Sequence, residues 1–100
     1  MSSSTTDRVI ITHDLGLHLR AAGSLVQVAT RFHSEISIRS QSSTANAKSI
    51  MSVLSLGAVC GTELEITSTG DDAPEATQAI IQIIKADFNL SQGQEKPSLR

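Results

Sequence analysis

Residues 8–32 read RVIITHDLGLHLRAAGSLVQVATRF, and the hydrophobic period changes part-way through. The first five, Arg8 to Thr12, are β-branched and apolar enough for a buried strand. From Ala21 onward the apolar positions fall at Ala21, Ala22, Leu25, Val28, Ala29 and Phe32, one face of a helix of about three turns. Between the two lie Gly16, His18 and Arg20, a glycine, an imidazole and a guanidinium directly ahead of the predicted helix.

The rest of the chain continues the alternation of strand and helix. SEISIR (34–39) has Ile36 and Ile38 on one face and Glu35, Ser37 and Arg39 on the other, a half-buried strand. SSTANA (42–47) follows a Ser/Gln cluster and is its hairpin partner. SIMSVLSLG (49–57) spaces Ile50, Val53 and Leu54 for a short helix capped by Ser49 and stopped at Gly57. TELEITS (62–68) alternates again. DDAPEATQAIIQIIKADF (71–88) opens with Asp72, Pro74 and Glu75 as a start signal, then places Ala76, Ala79, Ile80, Ile83, Ile84 and Phe88 in one apolar stripe. The order is βαββαβα. Strands apolar on a single face need a helical layer on that side only, so the expected fold is a two-layer α/β (α+β) sandwich with an antiparallel sheet. Residues 8–90 form the expected domain, flanked by polar tails at 1–7 and 91–100.

One hundred residues support one core. Only Phe32 and Phe88 are aromatic and the net charge is -2, which argues against the stacking platforms and basic surfaces that bind nucleic acid. A single cysteine, Cys60, excludes an internal disulfide and suits a reducing cytoplasm, where it is expected as a small buried hydrophobe. The opening MSSSTTD lacks the basic and apolar regions of a signal peptide, and no run approaches the ~20 apolar residues of a membrane span. A cytoplasmic monomer is expected. No cluster has metal-ligand spacing, and neither a P-loop nor a Ser/His/Asp set occurs, so no metal or other cofactor is implied.

The chemistry concentrates at His18. A helix start leaves backbone N–H groups without partners and carries the positive end of the macrodipole, a ready site for a phosphate-sized anion. Gly16 can turn the chain sharply to put His18 there. The same positive end favours the uncharged imidazole, which is nucleophilic. Attack on a phosphoryl donor would deliver three oxygens into the cluster of N–H groups, with Arg20 adding a charged contact. His13, closing the first strand near the loop, could touch such a group but is not expected to serve it, His33 is expected as a surface residue at the helix end, and Asp14 in a solvated turn.

GLHLRAAGSLVQVATRF (16–32) together with AKSIMSVLSLGA (47–58) resembles HPr, the histidine-containing phosphocarrier family of the bacterial phosphoenolpyruvate-dependent sugar phosphotransferase system, over residues 8–90. The resemblance implies a stoichiometric carrier rather than an enzyme. His18 would take a phosphoryl group on Nδ1 from enzyme I and pass it to a IIA-type acceptor, Arg20 would stabilise it, and Ser49 would be the site of regulatory phosphorylation by HPr kinase. It also implies a sheet in the order 1-4-2-3 under three helices. The sequence departs from the family pattern at Ala21, where a proline is usual, at Leu15, where a small polar residue usually precedes the glycine, at Leu19, and in QSSTAN (41–46), which lacks a glycine turn.

Leu19, Ile50, Met51 and Leu54 are large apolar residues near the loop, more than one short helix can bury, and are expected to dock partners. Two rival readings remain. One is a divergent regulatory binding protein of the same fold, acting through Ser49 or surface docking without phosphoryl relay. The other is a sensor whose helix ends bind an anionic metabolite.

Overall fold

Seven elements occur in the expected order: β1 (Ser3–Ile10), α1 (Leu19–Ala29), β2 (Glu35–Arg39), β3 (Thr44–Asn46), α2 (Ile50–Leu54), β4 (Glu63–Gly70) and α3 (Ala73–Lys85). The structure is a computed structural model that describes residues 3–41 and 43–90, so the expected tail at 91–100 lies outside the described residues. The sheet order is β1-β4-β2-β3, every pair antiparallel. All three helices lie on the face formed by Val9, Ile36, Ile38, Ala45, Leu64 and Ile66. The other face presents Arg8, Glu65 and Arg39 side by side, with Glu65 bridging the two arginines at 3.4 and 2.9 Å.

The core is aliphatic. Leu25 from α1, Ile80 and Ile84 from α3, and Ile38, Leu64 and Ile66 from the sheet are fully buried, each contributing roughly 1.5–3 kcal/mol relative to an exposed side chain. α3 starts with Pro74 in its first turn, carries Glu75 there and ends on Lys85, charges that oppose the helix dipole at both ends.

Three of four expectations are corrected, and the other, the start signal of α3, is kept with a different role for its aspartate. First, the strand starts at Ser3, so residues 3–7 belong to the sheet and are not a tail. Their hydroxyls meet an equally hydroxylated partner: Ser3 Oγ donates to the Gly70 carbonyl, and Thr6 and Thr67 approach to 3.0 Å across the pair. From below, Thr77 Oγ1 of α3 lies 3.2 Å from the Thr5 carbonyl and 2.8 Å from Ser68 Oγ.

Second, α1 ends at Ala29, so neither Phe32 nor His33 is helical; His33 stands in the bend entering β2. Third, Asp72 occupies the N-cap position of α3 but makes no side-chain bond to that helix. Its carboxylate instead accepts the His33 and Ser34 amides at 2.9 Å each and the Ser34 hydroxyl at 2.5 Å. One aspartate thus ties the bend before β2 to the start of α3. Fourth, Cys60 is exposed, not buried. It sits in the turn before β4, while Ala58, two residues earlier, takes the buried position.

The loop between β1 and α1 is held by backbone. Gly16 adopts φ +65°, and a Cβ there would lie 2.5 Å from the Ala58 oxygen and 2.8 Å from the Val59 Cα. The next residue uses that proximity: the Leu17 amide donates to the Ala58 carbonyl at 2.9 Å and its side chain is buried.

Two predictions follow from this packing. Gly16→Ala combines a left-handed backbone cost with a backbone clash, and is expected to destabilise the protein by roughly 2 kcal/mol or more in urea denaturation. For Asp72, the Ser34 hydroxyl, then the His33 amide, hold the carboxyl at about 2 against an ordinary value of 3.8. Stability from a lowered pKa is fully present above the unfolded value and is lost as pH falls through the folded one. Asp72→Asn should therefore lower the thermal midpoint at pH 7, and the gap to the parent should close between about pH 4 and about pH 2 in melts recorded across that range.

Candidate functional site

His18 is the N-cap residue of α1, with extended backbone (φ -86°, ψ 178°) and no side-chain capping bond. The first bond of the helix runs from the Ala22 amide to the His18 carbonyl at 2.8 Å. The amides of Leu19, Arg20 and Ala21 precede that bond and so have no acceptor within the helix. An imidazole that does not cap its own helix leaves this positive end open to an external anion. Ala21 is fully buried, and α1 begins at Leu19 with no proline in its first turn. The anchored Leu17 supplies the fixed entry that a proline would otherwise provide.

The loop ahead of His18 is closed on itself. The Gly16 amide donates to the His13 carbonyl at 2.9 Å, the His18 amide to the Gly16 carbonyl at 3.1 Å, and the Leu15 amide to His13 Nδ1 at 3.1 Å. The His13 and His18 rings lie 5.2 Å apart, centre to centre, with their planes at 48°. Asp14 is exposed in the turn, as expected.

Beside the loop is an open cleft of 420 Å³, whose walls include His13, His18, Arg20, Ser24, Asp87 and Phe88. Its far side is the end of α3. There Asp87 (φ 55°) and Phe88 (φ 65°) are both left-handed, the Phe88 amide donates to the Ile83 carbonyl at 2.8 Å, and the Asp87 amide donates to the Ile84 carbonyl at 3.1 Å. This is a Schellman ending with an aspartate where glycine is usual. Asp87 also accepts the Thr12 hydroxyl at 3.1 Å, and Phe88 meets His13 edge-on at 6.1 Å, so the helix end is fastened to the chain entering the loop. Sequence reading found His18 and Arg20 but missed Asp87 and Phe88 as walls of the cleft. Only the absence of glycine after Lys85 hinted that the chain reverses there through unusual residues.

The other expected site residues lie on α2 and on its approach to α1, which packs against it. Ser49 is the N-cap of α2, its Oγ accepting the Ser52 amide at 3.3 Å. Among the expected docking residues, Leu19 (66% exposed), Met51 (76%) and Ile50 (40%) face outward. Leu54 is half-buried and packs against the core beside the fully buried Val53, so less of it is offered outward. Leu15 (71% exposed) and Val59 (64%) add apolar surface the sequence reading did not assign to docking. Among the described residues no group of three or more His, Cys, Asp or Glu is placed to hold a metal ion, and no helix is long and apolar enough to cross a membrane.

A family model described as the PTS HPr component phosphorylation site matches residues 5–86. The phosphocarrier protein HPr of Xylella fastidiosa is 38% identical over 81 residues, 81% of this chain and 91% of that protein. The HPr of Mycoplasma capricolum is 43% identical over 84 residues, 84% of this chain and 93% of that protein. Among solved structures, an HPr from Thermoanaerobacter tengcongensis superposes with a TM-score of 0.80 at 35% identity, covering 92% of this chain and 99% of that one. With a family model spanning most of its length and relatives aligned nearly end to end, the chain belongs to the HPr family, the phosphocarrier proteins of the phosphotransferase system.

Proposed function

We propose that His18 is the phosphoryl acceptor, taking the group from enzyme I and passing it to a IIA-type protein. The observation that carries this reading is the placement of an uncapping imidazole at a helix start with three open amides beside Arg20. In the step, the lone pair of the neutral His18 Nδ1 attacks the phosphorus held on enzyme I. A P–N bond forms on His18 as the bond from phosphorus to enzyme I breaks, and the donor keeps that electron pair. The transferred oxygens arrive at the amino end of α1, where the N–H groups and the guanidinium of Arg20 receive their charge. The chain supplies position and electrostatics, and the group returns by the same path to the next partner.

Leu19, Ile50 and Met51 form the apolar part of the docking surface around this centre, and Ser49 is a regulatory phosphorylation site. Ser49 already caps α2, and a phosphate on its oxygen suits a helix start, so the fold is preserved while about two negative charges are added beside the docking residues. HPr kinase would place that mark. The regulatory alternative, in which Ser49 or docking acts without relay, is disfavoured by the presence of an imidazole, open amides and Arg20 together at the start of α1.

Incubation with phosphoenolpyruvate and enzyme I is expected to add one acid-labile phosphoryl group, absent in His18→Ala. Arg20→Ala should slow transfer roughly 10- to 100-fold, the size of a lost charge-assisted bond of about 1.5–3 kcal/mol. A chain that gains phosphate only from ATP and a kinase, acid-stable and on Ser49, would instead be the regulator. Ser49→Asp should weaken transfer from enzyme I by roughly ten-fold with little change in thermal midpoint, because it repels an acidic docking partner without disturbing the core. Equal transfer rates in mutant and parent would remove the regulatory role of that position.

A further inference from the structure

His13 faces the reacting imidazole across 5.2 Å and shares its cleft, yet nothing in the transfer step described above employs it. Its ring is held by two contacts and its backbone by a third. Its Nδ1 accepts the Leu15 amide at 3.1 Å, its carbonyl accepts the Gly16 amide at 2.9 Å, and its ring stands edge-on to Phe88, which is buried. An imidazole whose Nδ1 is occupied by a backbone donor carries its proton on Nε2 when neutral. The loop therefore does more than hold a ring near His18: it sets the tautomer, leaving an N–H donor as the free end.

We propose that His13 is a second ligand of the phosphoryl group on His18, donating from Nε2–H to one of its oxygens. The proposal rests on the carrier reading of His18. A phosphoryl group on that ring carries three acceptor oxygens, and the amides at the start of α1 approach them from one side only. His13 approaches from the loop, so the oxygens are received from two directions. Arg20 from α1 and Asp87 from the chain after α3 are the charged groups lining the same cleft, the first attracting the group and the second limiting how much negative charge the cleft holds. If His13 only packed against Phe88, its replacement would alter stability and leave the phosphorylated form untouched.

The test uses the full chain charged by phosphoenolpyruvate and enzyme I. For His13→Ala the transfer equilibrium with enzyme I should move about ten-fold toward enzyme I, the expected loss of one hydrogen bond to a charged group, and phosphohistidine hydrolysis should quicken in parallel. His13→Gln, which restores an N–H donor, should recover part of the shift. Long-range proton–nitrogen NMR of the parent needs no mutant: it should show His13 as the Nε2–H tautomer and move its Nε2 resonance on phosphorylation of His18. An unshifted equilibrium in His13→Ala, or a His13 resonance indifferent to phosphorylation, overturns the proposal while leaving the carrier reading intact. A parent that accepts no phosphoryl group at all overturns both.

Discussion

The contact on which the site depends is one of backbone against backbone: Gly16 lies so close to Ala58 and Val59 that no side chain fits between them. That approach brings the Leu17 amide to the Ala58 carbonyl, and burial of the Leu17 side chain fixes the direction in which α1 leaves the loop. His18 is the next residue, so its ring sits at the helix start by construction. Ala58 is held in turn by the chain entering β4, where the Ile11 and Gly61 backbones exchange bonds with Thr62 and Ile11 at 2.9 and 2.8 Å. Because β4 is central in the sheet, paired with both β1 and β2, the loop is mounted on the part of the fold least able to move.

The element order and the carrier motif were legible because they rest on local signals. Period-2 and period-3.6 patterns mark β2, β4, α1 and α3, and Gly16 followed by His18 and an apolar helical run marks the loop. What could not be read depends on partners distant in sequence. Ser3 to Asp7 has the composition of a tail, and only the facing hydroxyls of β4 and Thr77 make it strand. Asp72 looks like the cap of α3 because capping is a local rule, but its carboxylate serves amides 38 and 39 residues away. Cys60 was expected inside from residue type alone, yet the turn that carries it leaves the thiol outside. Leu54 was assigned to the surface by counting apolar residues on a short helix, where the tertiary fold decides which of them turn inward.

The far wall of the site was invisible in sequence for a different reason. Asp87 and Phe88 both adopt left-handed backbone, a conformation that costs a residue with a side chain roughly 1–2 kcal/mol and that glycine would take freely. The compensation lies in what those side chains reach: Asp87 takes the Thr12 hydroxyl and Phe88 buries its ring against His13. Glycine at either position would relax the backbone and remove a fastening between α3 and the chain entering the loop. Strain at the helix end is therefore tied to the placement of the site rather than to the stability of the helix.

A carrier must receive a group and give it up again, so its site cannot bind the phosphoryl group too tightly. On the carrier reading, the amides at the start of α1 and a single arginine would attract the group without a closed cage, with Asp87 on the opposite wall setting a negative charge against it. The apolar surface around the cleft follows the same logic. Leu15, Leu19, Met51 and Val59 are exposed on loop and helix starts, and on the proposed reading they would give a partner apolar area to bury with few fixed polar contacts to break on release. With Leu15 offering only its amide to the loop, that amide donates to the His13 ring. The loop position beside the glycine thus carries no polar side chain, and its backbone instead holds an imidazole two residues earlier that lines the same cleft.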